Sequence, residues 1–197
     1  MTIQQRILIS FGLGINVPEE DTIKFMPPWL ANVLPSISEH SSLNVWPATA
    51  HYVNLARRWH VLGDYAWRRV WLRFMDETLE IVESFDTRNV VQPVRNLISR
   101  ELKGEVLRTE EWQEAKDAAL KAFWSIATET GAEGAAGVAW VVATGGDRAT
   151  EIATEMAVSA VMNTTKSESA EETTWNWLTI SLFTIIEEEI DELEEKS

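Results

Sequence analysis

The stretch from Glu114 to Asn163 decides the fold, and it reads EAKDAALKAFWSIATETGAEGAAGVAWVVATGGDRATEIATEMAVSAVMN. Ala, Val and Ile fill it, and its polar residues recur at helical spacing. Two Gly-rich breaks divide it, the first at residues 131–137 and the second at Gly145 and Gly146. We therefore predict three consecutive helices packed close together. Because residues 138–144 are almost entirely apolar, the middle helix should be central and surrounded by others.

The glycines of the first break are also informative by their spacing. Gly131, Gly134 and Gly137 recur every three residues, which predicts that another backbone approaches closely there. The glycines follow a helix and have the wrong spacing for a dinucleotide-binding fingerprint, so that motif is excluded. Working outward, we predict an all-α, single-domain multi-helix bundle of about seven to eight helices with Ala-rich central helices. It comprises an N-terminal segment packed on the core (1–46), the helical core (47–163), and a linker with an acidic C-terminal helix (164–197).

Prolines and apolar stripes mark the helices before the central stretch. Pro28 is predicted to start a short helix that Pro35 stops, with a loop at residues 36–44. Pro47 opens a helix ended by Gly63, with an apolar stripe of Ala48, Tyr52, Leu55, Trp59 and Leu62. Asp64 caps the next helix, whose inner face is Trp67, Trp71, Phe74, Thr78, Ile81 and Phe85. These two helices should form an antiparallel hairpin with a Trp-rich seam.

Capping residues and breakers mark the later boundaries. Asp86 is predicted to cap a turn. Gly104 is predicted to close the helix whose first turn holds Pro93, and Thr109 and Asp147 to cap the helices that follow them. Residues 164–169 are predicted to be a polar linker, with a capping box formed by Ser169 and Glu172. The last helix has an apolar side made of Trp175, Leu178, Leu182, Ile185, Ile186, Ile190 and Leu193.

The charge is unevenly distributed along the chain. The net charge of the 197 residues is −14, and residues 109–197 hold five basic and nineteen acidic side chains. Such a surface repels a phosphate backbone and anionic lipids, so direct binding of nucleic acid or of a membrane surface is not expected. A basic protein partner is the natural complement. We predict that the contact surface is Glu187, Glu188, Glu189, Asp191, Glu192, Glu194 and Glu195.

The same acidic residues lie at a helix C-terminus, where negative charge opposes the helix dipole. That end should fray unless a basic group holds it. One basic cluster is available, in which Arg57, Arg58, Arg69 and Arg73 are a candidate anion or ligand site. Arg68 belongs to the same cluster. Internal pairing of these arginines with the acidic C-terminal helix is the favoured interpretation.

No strong catalytic constellation is present in the sequence. It lacks cysteine, G-x-S-x-G, a P-loop, H-E-x-x-H and any Glu-x-x-His pair. His51 and His60 fall on opposite faces of one predicted helix and cannot share a metal ion. We therefore expect no enzymatic activity, no metal ion and no cofactor. The absence of cysteine fits a reducing compartment, and the expected location is the cytoplasm.

The ten tryptophans are expected to serve mainly in the core, because they recur at helical spacing. Trp175 and Trp177 cannot share one helical face, so one of them should be exposed or at a contact. No apolar run reaches the length of a membrane span, and residues 7–15 are expected to be buried in the mature fold rather than a signal sequence.

A family resemblance begins at Asp86-Thr87-Arg88 and continues through Pro93, Arg95 and Arg100 to Gly104-Glu105 and the Ala-rich helices. The pattern resembles the immunity proteins of bacterial polymorphic toxin systems and covers residues 86–163. The family's late helices usually hold histidines, whereas none follows His60 here, and the proline is displaced from its position behind the arginine. The resemblance implies a non-enzymatic inhibitor that covers a toxin, often a basic nuclease. Its motif positions are Asp86, Arg88, Arg95, Gly104 and Glu105.

Other functions fit the sequence as well. A phage- or host-encoded inhibitor of a nucleic-acid-binding defence enzyme would present the same acidic surface. A small-molecule-binding helical domain could use a cleft lined by Trp59, Trp67, Trp71 and the arginine cluster. An enzyme with a site assembled from scattered Asp, Glu and Arg, or a structural oligomer subunit, would also match. We take the acidic protein-binding inhibitor as the leading hypothesis.

Overall fold

A computed structural model describes residues 26–40, 55, 58–125 and 131–196, and over these ranges the chain is helical with no strand. The predicted all-α helical bundle is confirmed. The described α-helices are α1 (Pro28–His40), α2 (Asp64–Glu83), α3 (Val91–Leu102), α4 (Thr109–Ser125), α5 (Gly131–Thr144), α6 (Ala149–Thr165) and α7 (Glu168–Glu195). A short 3-10 turn at Trp59–Val61 precedes α2. The predicted helix from Pro47 and the apolar segment at 7–15 lie largely or wholly outside the described residues.

Helices α2 and α5 form the centre of the bundle. Helix α5 packs most extensively between its neighbours α4 and α6, and α2 crosses α3, α5, α6 and α7. Helix α1 packs on α6 and α7. Residues 135–139 and 141–143 of α5 are all buried, which confirms the prediction of a central, surrounded helix.

The glycines at 131–137 lie in α5 rather than in a break, so that part of the prediction is wrong. Gly134 and Gly137 are inside the helix, where Gly134 faces Ala160 of α6 and Gly137 faces Met156 of α6 and Phe123 of α4 at close range. A Cβ on Gly134 would overlap the Cβ of Ala160 and lie 3.3 Å from its Cα. The predicted close backbone approach is thus confirmed. Gly145 and Gly146 have φ values of +66° and +98°, which confirms the predicted turn.

Helix α1 continues past Pro35 to His40, contrary to the predicted stop and to the predicted loop at residues 36–40. A proline in a helix lacks one backbone donor but does not end the helix when packing compensates. Here the compensation comes from Leu34 and Ile37, which flank the proline and are almost completely buried. The remaining predicted loop residues, 41–44, lie outside the described ranges.

Two predicted N-caps are each wrong by one residue. Gly63 is the N-cap of α2 with an extended backbone, and Asp64 is the first helical residue. Arg148 is the N-cap of α6 and makes no side-chain cap. Asp147 lies in the preceding turn, where its carbonyl accepts a hydrogen bond from Asn32 Nδ2 at 2.9 Å. Backbone hydrogen bonds of the turns take the place of the predicted side-chain caps.

The start of α4 also differs from the prediction. Thr109 is the first helical residue, and the capping contact comes from Glu111, whose Oε2 accepts the backbone N–H of Arg108 at 3.0 Å. The predicted cap of a turn by Asp86 is confirmed in the turn before α3, whereas the N-cap of α3 itself is Val90, which makes no side-chain cap. The carboxylate of Asp86 accepts the N–H groups of Arg88 at 3.1 Å and Val91 at 2.7 Å.

The predicted polar linker at 164–169 is only two residues long. Helix α6 extends to Thr165 and ends at Lys166, whose φ is +54°. Thr164 and Thr165 are helical, and their hydroxyls donate to carbonyls one turn back. The Ser169–Glu172 capping box is absent, since Ser167 is the N-cap of α7 and Ser169 lies in its first turn.

The apolar side of α7 is confirmed. Its predicted members are buried except Leu193, which is partly buried. Trp175 is 3% exposed and Trp177 is 39% exposed, as predicted for a pair that cannot share one face. In the described part of the chain, no helix has the length and apolar content that crossing a membrane requires.

Candidate functional site

The acidic end of α7 is held by three arginines, Arg58, Arg69 and Arg73, which we call the arginine ladder. Arg58 lies just before the 3-10 turn, and Arg69 and Arg73 lie one turn apart on α2. Because α7 packs along α2, this face meets the acidic turns of α7. The favoured internal pairing is therefore confirmed for these three arginines. Arg57 lies outside the described residues, and Arg68 instead binds Glu101.

Each arginine of the ladder contacts a different part of the acidic end. Arg58 Nη2 lies 2.6 Å from Asp191 Oδ1 and 2.7 Å from Glu194 Oε2. Hydrogen bonds to Glu194 and Asp191 raise the pKa of the Arg58 guanidinium above its ordinary value. Arg73 pairs with Glu188. With these basic groups in place, α7 stays helical to Glu195 rather than fraying.

Glu189 is the buried member of the acidic set. Its side chain is only 4% exposed, and its Oε1 accepts a hydrogen bond from Arg69 Nε at 2.6 Å. This bond raises the pKa of Arg69, although partial burial of the guanidinium opposes the shift. The second oxygen, Oε2, accepts no hydrogen bond from a described residue, and Arg73 Nη1 lies 4.0 Å away. Glu189 is thus a structural carboxylate rather than an accessible contact residue.

The other paired carboxylates remain accessible to a partner. The side chains of Glu188, Asp191, Glu192 and Glu194 are 53%, 54%, 48% and 49% exposed, respectively. Glu187 is half-buried, and Glu195 is exposed. The seven predicted acidic residues outnumber the three ladder arginines and Lys196, which pairs with Glu192 at 3.4 Å. Counted without Glu187, the described part of this surface therefore keeps two more acidic than basic groups after internal pairing. A cleft of about 350 Å³ lies between Arg69, Arg73 and the outer carboxylates.

The residues that carry the family resemblance hold the corner between α2 and α4. Arg95 Nε lies 2.8 Å from Asp76 Oδ1, and its Nη atoms reach Glu80 at 3.1 Å and Glu83 at 2.5 Å. Hydrogen bonding to Asp76 is the main cause that raises the pKa of Arg95. Asp86 caps the turn before α3, as described above, and Arg88 is exposed in that turn.

Gly104 and Glu105 form the other end of this corner. Gly104 follows α3 with a φ of +87°. Glu105 pairs with Arg100, and that hydrogen bond lowers the pKa of the Glu105 carboxyl. The pKa of Glu111 is also lowered, first by the backbone N–H of Arg108 and then by Arg100. Asp86, Arg95, Gly104 and Glu105 thus have local structural roles that account for their residue types, whereas the described contacts give no such role to the Arg88 side chain.

A second concave feature, which we call the tryptophan cavity, lies at the N-terminal ends of α1 and α2. It has a volume of about 640 Å³. Its walls come from the start of α1, the segment between the 3-10 turn and α2, the first two turns of α2, and the turn between α5 and α6. The lining residues are Met26, Pro27, Pro28, Trp29, His60, Leu62, Gly63, Asp64, Trp67, Arg68, Trp71, Gly146 and Asp147.

Trp67 and Trp71 line this cavity, as the ligand-binding alternative expects. Trp59 does not line it but packs edge-on against Trp67, with ring centroids 5.8 Å apart. Trp29 and Asp147 also line the cavity, although the sequence predicted only a helix position for Trp29 and a capping position for Asp147. In the sequence, these residues end two turn-forming triplets, Pro-Pro-Trp and Gly-Gly-Asp, which is the only pattern that marks them. Only the fold brings such distant turns together.

Within the described ranges, no group of three or more His, Asp or Glu side chains is placed to hold a metal ion. Comparison of the chain with models of known protein families, with curated proteins and with solved structures gave no match.

Proposed function

We propose that this protein is a non-enzymatic inhibitor that binds a basic protein through the acidic C-terminal half of α7. One observation carries the proposal, namely the half-exposed carboxylates that remain in excess over the ladder arginines. An excess of like charge on one surface attracts an oppositely charged partner over several ångströms and accelerates its association.

The ladder supports this function by ordering the carboxylates in advance. Arg58 bridges Asp191 and Glu194, and Arg73 holds Glu188, while about half of each carboxylate side chain faces solvent. A partner that binds pre-ordered side chains loses less conformational entropy than one that must immobilise them. The paired carboxylates can therefore accept further hydrogen bonds from a partner's lysines or arginines.

We propose an immunity-like role, in which the basic partner is a toxin or a nuclease. The sequence resemblance at residues 86–163 and the net charge of −14 support it. An inhibitor of a nucleic-acid-binding defence enzyme is the second candidate, because such an enzyme offers a basic surface of the same kind. Both would act in the cytoplasm, in keeping with a chain that has no cysteine.

The first experiment identifies the partner by capture with the tagged protein from a native lysate, with washes at low and at high salt. Its association rate constant is then measured for the wild type and for Glu195→Lys. Glu195 is exposed and makes none of the ladder contacts, so this reversal leaves the arginine pairs intact. We expect the variant to associate roughly threefold more slowly at low salt and at nearly the wild-type rate at high salt.

The matched control is Glu114→Lys, which reverses an exposed charge in the middle of α4. It should leave the rate nearly unchanged. Equal slowing in both variants would show that net charge, not the α7 surface, governs association. An unchanged rate in Glu195→Lys, or no partner at either salt, would contradict the proposal.

A further inference from the structure

The tryptophan cavity has rigid aromatic walls. Trp29, Trp67 and Trp71 are each less than a tenth exposed. The rings of Trp29 and Trp67 stand at 76° with centroids 6.2 Å apart, and Trp59 supports Trp67 from another side at 83°. The Nε1–H of Trp71 donates to Thr150 Oγ1 at 2.9 Å, which fixes the third ring against α6. The aromatic surfaces are thus in place before any ligand arrives.

One of these rings already binds a cation. The guanidinium carbon of Arg68 lies 4.5 Å from the centroid of Trp71. Cations favour the faces of tryptophan because the ring quadrupole is negative there. The charge of Arg68 itself is balanced by Glu101, whose two oxygens accept from Nε at 2.7 Å and from Nη2 at 3.0 Å. Arg68 therefore adds little net positive charge to the cavity.

Two further charges at the rim are negative. Asp64 begins α2, and Asp147 lies in the turn between α5 and α6. Both residues are exposed, and neither carboxylate pairs with a cation among the residues that the structure describes. The N-terminus of α2 contributes the opposite sign, but only about half an elementary charge. Two full negative charges outweigh it, so the part of the rim formed by Asp64, Asp147 and this helix end attracts cations.

We infer that the tryptophan cavity is a binding site for an organic cation, specifically an alkylated ammonium group. Its volume of about 640 Å³ falls within the roughly 300–1,000 Å³ of small-molecule sites. An anion could contact Arg68 and the buried Trp67 Nε1–H, which has no acceptor among the described residues, but it would also meet two carboxylates and the negative faces of the indoles, so a cation is favoured. A free quaternary amine and a methylated lysine side chain share the required chemistry. This inference does not rest on the proposed function.

The probe is choline, and its matched control is 3,3-dimethylbutan-1-ol, which has the same shape without the charge. Binding is followed by NMR through the indole N–H signals, which Trp29→Phe, Trp67→Phe and Trp71→Phe assign. We expect choline at millimolar concentration to shift the signals of these three tryptophans, and the neutral alcohol to leave them unchanged. Equal shifts with both compounds, or none with choline, would overturn the inference, as would stronger binding of inorganic phosphate.

Asp147→Asn tests the charge without disturbing the fold, because Asn32 contacts the backbone carbonyl of this residue and not its side chain. The loss of one partly solvated charge should weaken choline binding about fivefold. Glu172→Gln on α7 removes an equal charge from a residue that does not line the cavity, and it should have no effect. Equal weakening by both variants would overturn the site assignment.

A further titration with peptides distinguishes a methylated lysine side chain from a free quaternary amine as the ligand. A short peptide with trimethyl-lysine and the same peptide with norleucine are titrated in parallel. Tighter binding of the trimethyl-lysine peptide than of choline would assign the site to a protein side chain. Equal or weaker binding of that peptide would assign it to a free amine.

Discussion

Replacing Arg69 with methionine removes the hydrogen bond that holds the buried carboxylate of Glu189. Methionine keeps much of the aliphatic volume of arginine, so the change tests charge rather than packing. In the wild type, Arg69 Nε lies 2.6 Å from Glu189 Oε1, and the Glu189 side chain is 4% exposed. Removal of the arginine therefore leaves a carboxylate in a site with almost no access to water.

The expected cost follows from this burial. Breaking a buried ion pair by removing one partner costs about 3–5 kcal/mol. Arg69 is itself 24% exposed, and Arg73 Nη1 lies 4.0 Å from the second oxygen of Glu189, so part of the charge stays compensated. We therefore expect a loss of about 2–4 kcal/mol in the free energy of unfolding, or about 5–15 °C in Tm for a chain of this size.

The assay is urea unfolding at equilibrium, followed by circular dichroism at 222 nm. Arg148→Met is the control, because Arg148 is 71% exposed in its pair with Glu151 and should cost less than about 1 kcal/mol. Adding Glu189→Leu to Arg69→Met removes the stranded charge and should recover most of the loss. If Arg69→Met costs no more than the control, Glu189 is not a stranded buried charge in that variant. If the double variant recovers nothing, the loss comes from the removed contacts of Arg69 and not from the stranded charge of Glu189.

Two further predictions concern the core and its pH dependence. Gly134→Ala gains about 1 kcal/mol in helix propensity, but its Cβ meets Ala160 on the facing helix, and overpacking costs about 1–3 kcal/mol. Because the obstacle includes the Ala160 Cα, the helices must separate, and we expect a net loss of Tm in a thermal melt. Burial of the Glu77 carboxyl is the main cause that raises its pKa, and the negative charges of the nearby Glu80 and Asp76 add to the shift. A carboxyl with a raised folded-state pKa lowers stability as pH rises through the interval between its ordinary and raised values. Glu77→Gln should therefore stabilise the protein at neutral pH, and unfolding midpoints should show this gain disappearing below the ordinary pKa of glutamate.

A specific experimental result would contradict each of these two predictions. For Gly134→Ala, the comparison is Ser159→Ala on the exposed side of α6, which should change stability by less than about 0.5 kcal/mol. A Gly134→Ala protein more stable than the wild type would show that α5 and α6 can separate without loss. A stabilising effect of Glu77→Gln that persists at low pH would exclude titration of this carboxyl as its cause.

The fold was predictable where side-chain pattern alone decides the structure. The apolar side of α7 and the close approach at Gly134 follow from residue spacing, which a helix converts directly into a face. Helix boundaries were less predictable because contacts with distant residues fix them. Pro35 remains in α1 because Ile37 is buried against the bundle, and nothing near the proline in sequence reveals that burial.

The candidate site was likewise predictable from the sequence only in part. Opposite charge along two segments was enough to predict that arginines of α2 pair with acids of α7. Sequence could not show which carboxylate is buried, since Glu188 and Glu189 are neighbours of the same type. Their exposures, 53% and 4%, differ because successive helical residues point about 100° apart.

This difference separates the roles within the acidic end. Glu189 lies inside and is paired with Arg69, whereas Glu195 lies outside and is exposed to solvent. Truncation after Ile186 would remove both, together with the fully buried Ile190, and would leave the ladder arginines without their partners. Weaker partner binding by such a truncation would therefore be uninformative. Only variants that change an outer carboxylate while Arg69 and Glu189 stay paired can distinguish a recognition surface from a structural one.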